Sequence, residues 1–406
     1  MRLPAGTRDW LPEELAAKRA LEASLREVFT RFGYREAATP GFERFDVIEA
    51  GLGEALGEES FRFTDRRGTT MALRPEMTTP IARLVSTRLR GAPMPLRLCY
   101  VAPVYRYEEP QEGRMREFTQ AGVELIGNGS VEADVEIMLS ALEALDAAGL
   151  PDARIDVNHV AIVDAVLREV GLEPREVRIV KGLLGRRNLV ALRAFCAAHG
   201  APGVQVIPEL ALMRGGEEVL ERLLQYVPHP RVDGGIARLR AILARAASLS
   251  MEHRIAIDFA LLRDFEYYTG LVFEAYVPEL GFSLLGGGRY DGLLENFGFE
   301  TPAVGWTVGV ERLLIALERR GGIPEAPDGS VQFLVACDDR TARALRERGA
   351  RVLRALDDCG EQALLAEARL RGIPHVVVAG LCIGVADGTR RPIEEVLGAP
   401  AGDGRS

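Results

Sequence analysis

The chain runs to 406 residues, 47% of them hydrophobic, which is ample for a large core and for two or three domains. Fifty basic residues against fifty-nine acidic ones give a net charge of −9, which excludes a global pull toward nucleic acid and leaves room only for local basic patches. Five scattered cysteines (Cys99, Cys196, Cys337, Cys359, Cys382) form no CxxC pair and no histidines share ligand spacing, so reduced thiols and no metal centre are expected.

The amino-terminal MRLPAGTRDWLPEEL lacks an apolar core of signal-peptide length, and no run of roughly twenty apolar residues follows. A soluble, cytoplasmic protein with no membrane association is therefore expected. Pro12 to Phe32 opens on proline and acids and keeps apolar residues at helical spacing, which predicts an amphipathic helix. Gly33-Tyr34 closes it, and YREAATPGFERFDVIEA reads as a strand leading into a short helix. SFRFTDRRGTTMALRPEM alternates as two strands around Asp65-Arg66-Arg67-Gly68, a hairpin. Met77 to Arg90 reads as helix with Pro80 near its start. Leu96 to Tyr107 and Phe118 to Gly127 read as paired strands joined by a charged loop, and Glu132 to Ala148 as a helix.

From Leu167 to about Leu249 the pattern becomes short amphipathic helices without strand signals, a helical insertion at 167–249. Strand patterns resume at RIAIDFAL, GLVFEAYV and FSLLGGGRYDGLL, and Thr307 to Arg319 reads as a buried helix. These segments make a core over 1–320, and GGIPEAPDGS (321–330) marks a linker. VQFLVAC, a helix, IPHVVVAG and GLCIGVADG form a small α/β unit over 331–398, ahead of a disordered tail at 399–406.

Four segments carry candidate chemistry. In YRYEEPQEGRMREFTQAGVELIG (105–127), Arg106 and Glu108 are two apart, so on a strand they face one side; Arg114 and Arg116 repeat the spacing beyond Gly113. Guanidinium groups fork onto phosphate or carboxylate oxygens, so the loop suits an anionic ligand. The plain alternative is a solvated hairpin whose surface ion pairs contribute little. In LRPEMTTPIAR (73–83), the carboxylate of Glu76 beside the hydroxyl of Thr78 can hold an ammonium, or simply cap a helix around Thr79-Pro80. In LLRDFEYYTG (261–270), Arg263, Glu266, Tyr267 and Tyr268 sit beside apolar strands, where tyrosines are usually half-buried packing residues. LLGGGRYDGLL and PAVGWTVGVERLL offer glycines that let a backbone approach a planar or phosphorylated ligand, and Arg312 on a buried helix; a tight turn and an arginine paired with a core carboxylate explain them equally. P-loop, dinucleotide, zincin and nucleophile-elbow signatures are missing, so neither a cofactor nor a covalent nucleophile is expected, and CDDRT (337–341) reads as a helix cap.

In this order the segments resemble the catalytic core of class II aminoacyl-tRNA synthetases, with histidyl-tRNA synthetase the closest type, over residues 4–320. GTRDWLPEE and GYREAATPGFE resemble the family's amino-terminal segment and first motif. YRYEEPQEGRMREFTQ resembles the second motif, with Arg106 and Glu108 at its ATP-reading positions. RDFEYYTG resembles the histidine-specific segment, and GVERLL the third motif, with Arg312 as its arginine. The resemblance implies an α+β fold: a class II synthetase-like antiparallel β-sheet flanked by helices, a helical insertion, and a small C-terminal α/β domain like a trimmed anticodon-binding domain. It also implies a histidine pocket in which Glu76 and Thr78 take the ammonium and Arg263 and Gln120 the carboxylate. Glu124, Tyr267, Tyr268 and Tyr290 would surround the imidazole, a ring with one donor and one acceptor when neutral. Arg106, Glu108, Arg114, Arg116 and Arg312 would be a vestigial nucleotide site or fold support.

Departures from a working synthetase run in one direction. Met77 and Thr79-Pro80 stand where the synthetase has glycine and then a small residue, which predicts a crowded reaction cleft. The run EALGEESFRFTDRRG is shorter than the synthetase's, and Asp264 and Glu266 replace glycine and aspartate in RDFEYYTG. FTQAGVELIG and RLCYVAPVYR resemble the family's non-catalytic relative, the regulatory subunit of ATP phosphoribosyltransferase. That resemblance implies no catalytic residues, a short-form ATP phosphoribosyltransferase catalytic subunit as partner, L-histidine as feedback effector, and a homodimer within a hetero-octamer. In the C-terminal unit Arg346, Arg348 and Arg351 are offset by Glu347, Asp357 and Asp358, so no tRNA-sized basic face is expected. The alternative is an active histidyl-tRNA synthetase that forms histidyl-adenylate and charges tRNA, which Arg106, Arg263 and Arg312 favour.

Overall fold

The computed structural model describes residues 2–109, 113–226, 230–262, 267–322, 330–336, 338–357 and 359–398, and it divides the chain into two compact units, Met1–Pro324 and Glu325–Ser406. The first unit opens with α1 (Pro12–Arg31). Pro12 occupies the first turn, where an N–H has no helical partner, and Glu13 and Glu14 face the positive end of the helix dipole. Leu21, Leu25, Val28 and Phe29 form its buried stripe. Gly33 ends the helix at φ +79°, a left-handed conformation natural to glycine.

Then come β1 (Arg35–Glu36), β2 (Phe42–Arg44), α2 (Phe45–Glu58), β3 (Arg62–Thr64) and β4 (Thr70–Leu73). α2 is a full helix of 14 residues where the sequence reads as a short one. The hairpin around Asp65 forms as read: Asp65 Oδ1 accepts from Arg67 N and Thr69 N at 2.8 Å each, closing the turn. α3 (Thr78–Leu84) runs on into a wider π turn, and β5 (Leu96–Tyr105), β6 (Glu117–Ile126) and α4 (Val131–Ala147) follow.

β7 (Arg154–His159) leads into α5 (Val160–Glu169), α6 (Pro174–Gly185), α7 (Leu189–His199), α8 (Val206–Leu210), β8 (Arg214–Gly215), α9 (Glu217–Tyr226) and α10 (Pro230–Ser248). The helical run thus begins at Val160 rather than Leu167, and it contains a strand that the sequence does not signal. β8 pairs antiparallel with β9 (Ile255–Asp258), and Arg214 grips Asp156 of β7 at 2.8–3.2 Å. β10 (Leu271–Tyr276), β11 (Leu285–Arg289), β12 (Ala303–Gly309) and α11 (Val310–Arg319) complete the unit. The helix read from Thr307 starts at Val310 instead, because Thr307 to Gly309 continue the strand ladder against Gly122, Ala121 and Gln120 of β6.

Among the described residues, nine of these twelve strands form one sheet in the order β1-β5-β6-β12-β11-β10-β7-β9-β8, and the other three form a second in the order β2-β4-β3. Neighbours are antiparallel except β1 with β5 and β7 with β9, so the sheet is mixed toward its edges. Side chains alternate along β6: Ala121, Val123 and Leu125 join the main core with α1 and α4, which leaves Gln120, Gly122 and Glu124 for the other face. There Leu98, Tyr100 and Val104 of β5 pack with Met77, Ile81 and Val85 into a second apolar cluster. Each fully buried aliphatic or phenylalanine side chain contributes about 1.5–3 kcal/mol relative to exposure.

The second unit comprises β13 (Phe333–Val335), α12 (Asp339–Glu347), β14 (Val352–Arg354), α13 (Glu361–Leu370), β15 (His375–Val378), β16 (Leu381–Gly384), β17 (Arg390–Pro392) and α14 (Ile393–Gly398). Its sheet runs β14-β13-β15-β16-β17 with a small core on each face. Asp338 caps α12, accepting from Arg340 N at 3.1 Å and Thr341 N at 3.2 Å, as CDDRT suggests. Most of the linker read at 321–330 and all of the tail at 399–406 lie outside the described residues, as does Asp358. Among the described residues no helix is long and apolar enough to cross a membrane, and no cluster of histidine, cysteine and acidic side chains is arranged to hold a metal ion.

Candidate functional site

β4 delivers the chain to a cleft through Arg74-Pro75-Glu76-Met77, a segment held from several sides. Arg74 is buried and donates from Nε to Pro103 O at 2.8 Å and from Nη1 to Thr39 O at 2.8 Å and Pro40 O at 3.2 Å. Arg106 Nε donates to Pro75 O at 2.9 Å, and Met77 N donates to Gln120 Oε1 at 3.1 Å. Backbone groups of Arg74, Pro75 and Met77 are thus paired, which holds the segment in place before any ligand arrives. Glu76 uses both carboxylate oxygens to start α3, accepting from Thr78 N at 2.5 Å and Thr79 N at 2.9 Å. Pro80 follows within the first turn, where its missing N–H leaves no gap. Capping a helix and lining the cleft are therefore one arrangement here, not alternatives.

Beside Thr78 lies Glu124, 1% exposed. Its Oε1 accepts from the Thr78 hydroxyl at 2.9 Å and the Tyr100 hydroxyl at 3.1 Å, and its Oε2 accepts from the Tyr290 hydroxyl. Room for the carboxylate comes from β12, where a Cβ on Gly305, opposite Glu124 in the ladder, would stand 1.8 Å from Oε2. Gly288 on β11 makes the same concession to Tyr268, since its Cβ would stand 2.7 Å from the ring. Tyr267 packs on Tyr268 with ring centroids 4.8 Å apart and edge-on to Tyr290 at 5.8 Å. Burial, aided by the nearby Glu76 carboxylate, pushes Glu124 up to about 8 against the opposing hydrogen bonds from Tyr290, Thr78 and Tyr100. Burial also raises Glu76.

The far end of the cleft is basic. Arg312, in the first turn of α11, donates from Nε to Gly113 O at 3.0 Å and from Nη1 to Ser283 O at 2.7 Å. Burial first, and then the guanidinium of Arg106, lower its proton affinity. Glu108 sits among these cations, 3.7 Å from Arg106 and 4.0 Å from Arg114. The cleft spans about 940 Å³ when the open solvent at its mouth is counted. Its lining combines acidic and hydroxyl side chains (Glu76, Thr78, Tyr290) with basic ones (Arg106, Arg114, Arg312) and with Gln120, Tyr267 and Tyr268. Gln120, whose carbonyl is engaged by Met77 N, keeps its amide N–H groups as donors. Such a bipolar cleft suits a zwitterion.

The family model described as histidyl-tRNA synthetase matches residues 6–313. A curated relative from Moorella thermoacetica, named ATP phosphoribosyltransferase regulatory subunit, is 44% identical over 92% of this chain and 97% of its own length. A relative of the same name from Desulforamulus reducens is 40% identical over 93% of this chain and 95% of its own. The chain belongs to this family. A solved chain from Bacillus halodurans, described as an ATP phosphoribosyltransferase regulatory subunit/histidyl-tRNA synthetase, superposes with a TM-score of 0.81 at 29% identity, covering 93% of this chain and 97% of that one. The histidyl-tRNA synthetase of Nostoc sp. PCC 7120 shares the fold, with a TM-score of 0.78 at 21% identity over 97% and 98% of the two chains.

Within this family framework the sequence-derived residues fall as follows. Glu76, Thr78, Gln120, Tyr267, Tyr268 and Tyr290 line the cleft. Glu124 is not among the lining residues; it stands behind Thr78 and Tyr290 and holds their hydroxyls. Arg263, with Asp264 and Glu266, lies outside the described residues. Arg106, Glu108, Arg114 and Arg312 line the basic end, but Arg116 does not. Its guanidinium lies 4.3 Å from the Tyr107 ring and its Nε donates to Glu108 O at 3.0 Å, so it braces the loop. The strand stops at Tyr105, so Arg106 and Glu108 meet in a loop rather than on one strand face.

Met77 is also corrected. It is fully buried among Ile81, Val85 and Leu98 and is not a lining residue, so it fills the core beneath α3 instead of crowding the cleft. Sequence reasoning missed Tyr100, which supports Glu124, and it assigned the glycines of PAVGWTVGVERLL to a ligand, whereas Gly305 makes room for Glu124. The available signal for Tyr100 was strand alternation: it pairs with Gly122, on the sheet face shared with Glu124.

Proposed function

We propose that this chain is the non-catalytic regulatory subunit of an ATP phosphoribosyltransferase in the cytoplasm, joining a short-form catalytic subunit and holding L-histidine in the cleft as the feedback inhibitor of histidine biosynthesis. The observation that carries this reading is the identity to chains named as regulatory subunits across nearly their whole length. The cleft supports the choice of ligand. An ammonium sits best at the Glu76 end, a carboxylate at the amide of Gln120 and the arginine end that Arg263 is proposed to complete, and a ring against Tyr267, Tyr268 and Tyr290. Arg106 and Arg312 already hold backbone carbonyls, which suits a supporting role for the former nucleotide end.

Histidine regulates only through a difference in affinity between active and inhibited assemblies, a coupling of typically about 1–3 kcal/mol. Assembly is proposed as a homodimer of this chain within a hetero-octamer. The test pairs two assays on the purified chain. It should fail to exchange pyrophosphate into ATP in the presence of histidine, and it should restore histidine-sensitive transferase activity to an isolated short catalytic subunit. Brisk histidine-dependent exchange would overturn the reading in favour of an active histidyl-tRNA synthetase.

A further inference from the structure

Between Val160 and Gly200 the insertion carries seven basic residues against four acidic ones, in a chain whose net charge is −9. The surplus is not spread evenly. Arg175, Arg178 and Ile179 of α6, and Arg186 just past its end, recur at helical spacing along one exposed stripe, while Val180 and Leu184 on the opposite side enter the main core. α7, which packs against α6, repeats the pattern: Val190 and Arg193 face outward, Leu192 and Cys196 the core. Among the described residues the four guanidinium groups of this outer face make no ion pair and no side-chain hydrogen bond. Other cations of the insertion do: Lys181 pairs with Asp164, Arg187 with Asp258, and Arg214 with Asp156 at 2.8 Å. We propose that the outer face of α6 and α7 is a docking surface for an acidic face of a partner protein, which on the regulatory-subunit reading is the catalytic subunit. The inference rests on that reading and deepens it by placing the contact. On an acidic chain, a face of unpaired arginines is where an acidic partner is steered. Ile179 is 57% exposed and Val190 81%, so apolar side chains stand among the charges, as in the core and rim of a protein interface. Neither stripe carries an aromatic side chain, so nothing there stacks a base, and a nucleic acid would leave both aliphatic groups uncovered.

The same helices are fastened to the sheet that carries the cleft. Arg187, in the turn between α6 and α7, has φ +48°, a left-handed conformation uncommon for a residue with a side chain. It is held there by its ion pair with Asp258 at the end of β9 and by donation from Nη1 to Ala211 O at 2.8 Å. Asn188 then caps α7, accepting from Ala191 N at 3.1 Å. Asp156, the partner of Arg214, lies opposite Glu274 in the ladder, Glu274 opposite Gly286, and Gly286 opposite Thr307. Directly opposed residues share a face of the sheet, and Gly286 and Thr307 line the cleft. Arg214 of the insertion thus grips the sheet on the face that forms the cleft. Docking on α6 and α7 and ligand binding in the cleft therefore act on one sheet, which gives the two events a shared support.

The experiment measures Kd between the full-length chain and an isolated short catalytic subunit by calorimetry. The wild-type complex should weaken as salt rises from about 50 to 300 mM. The double variant Arg178→Glu/Arg186→Glu should bind about tenfold or more weakly at low salt, with a flatter salt dependence. Both side chains are exposed, so the urea midpoint of the isolated variant should match the wild type. Arg343→Glu, at an exposed position of the second unit, controls for net charge and should leave Kd within about twofold. Unchanged affinity in the double variant, or an equal loss in Arg343→Glu, overturns the inference and leaves the regulatory reading standing. Wild-type binding to duplex RNA that the double variant loses, with subunit association intact, also overturns it, because the face would then serve a nucleic acid. A wild type that forms no complex with the catalytic subunit overturns the regulatory reading itself, and the inference with it.

Discussion

Gly305 shows how one absent methyl group can decide a site. Nothing in its own backbone demands glycine; the demand comes across the ladder from Glu124, whose Oε2 would lie 1.8 Å from an added Cβ. A carboxylate already tied to Thr78, Tyr100 and Tyr290 has no free rotamer to retreat into. Gly305→Ala must therefore either bend β12 away from β6 or expel Glu124 from its three donors. Overpacking of this kind typically costs about 1–3 kcal/mol, and expulsion would leave the hydroxyls without their acceptor. The expected outcome is a urea midpoint lowered accordingly and a loss of L-histidine affinity of about tenfold or more by calorimetry. Normal stability and normal affinity in the variant would mean that β12 yields more readily than its central place in the sheet suggests.

Between elements, one tie is a buried carboxylate shared by two arginines. Asp134, wholly buried on α4, accepts from Arg289 Nε at 2.9 Å and Nη2 at 2.6 Å on β11, and from Arg238 on α10. Arg289 also reaches Asp291 at 3.0 Å, and Arg238 reaches Gly129 O and Ser130 O at 3.0 Å each. The network joins the last helix of the insertion to the strand that ends beside Tyr290. Asp134→Ala strands two cations in or near the core, so it should destabilise by about 3–5 kcal/mol in urea unfolding. Replacing Asp134, Arg238 and Arg289 together with apolar residues of similar volume should cost far less than the single change. None of this network could be read from sequence, because Asp134 stands 104 and 155 residues from the two arginines it pairs with. What was legible is local. Periodicity set α1, the hairpin at Asp65, the β5 and β6 pair and α4, because apolar spacing and turn chemistry repeat within each segment. β8 escaped because two residues carry no period and only pairing with β9 makes them a strand. The start of α11 escaped because Thr307 to Gly309 owe their strand geometry to β6. In the cleft, motif order supplied most of the lining. The direction of Met77 into the core and the place of Glu124 behind Thr78 depend instead on where α3 begins and on the β6–β12 register.

At the scale of the whole chain, every described residue of the cleft belongs to the unit Met1–Pro324, and the unit from Glu325 onward builds its own five-stranded sheet with apolar clusters on both faces. A unit with its own core and a closed set of site residues meets the usual conditions for folding alone. If histidine binds in that cleft, its stabilising effect is fixed by mass action, about 2.7 kcal/mol at a concentration one hundred times Kd. That increment depends only on the groups touching the ligand, and none of the described ones lies beyond Ile315. A chain ending at Gly322 should therefore show the same histidine-dependent rise in unfolding free energy as the full chain, measured by urea titration with and without saturating ligand. The same chain offers a sharper check on location, because Glu76→Gln should reduce the increment while a substitution on the exposed surface of α9 should not. If the shortened chain gives a native far-ultraviolet spectrum and no increment, the cleft is incomplete without residues beyond Gly322. Histidine would then be read by the chain as a whole and not by the sheet that carries Glu124.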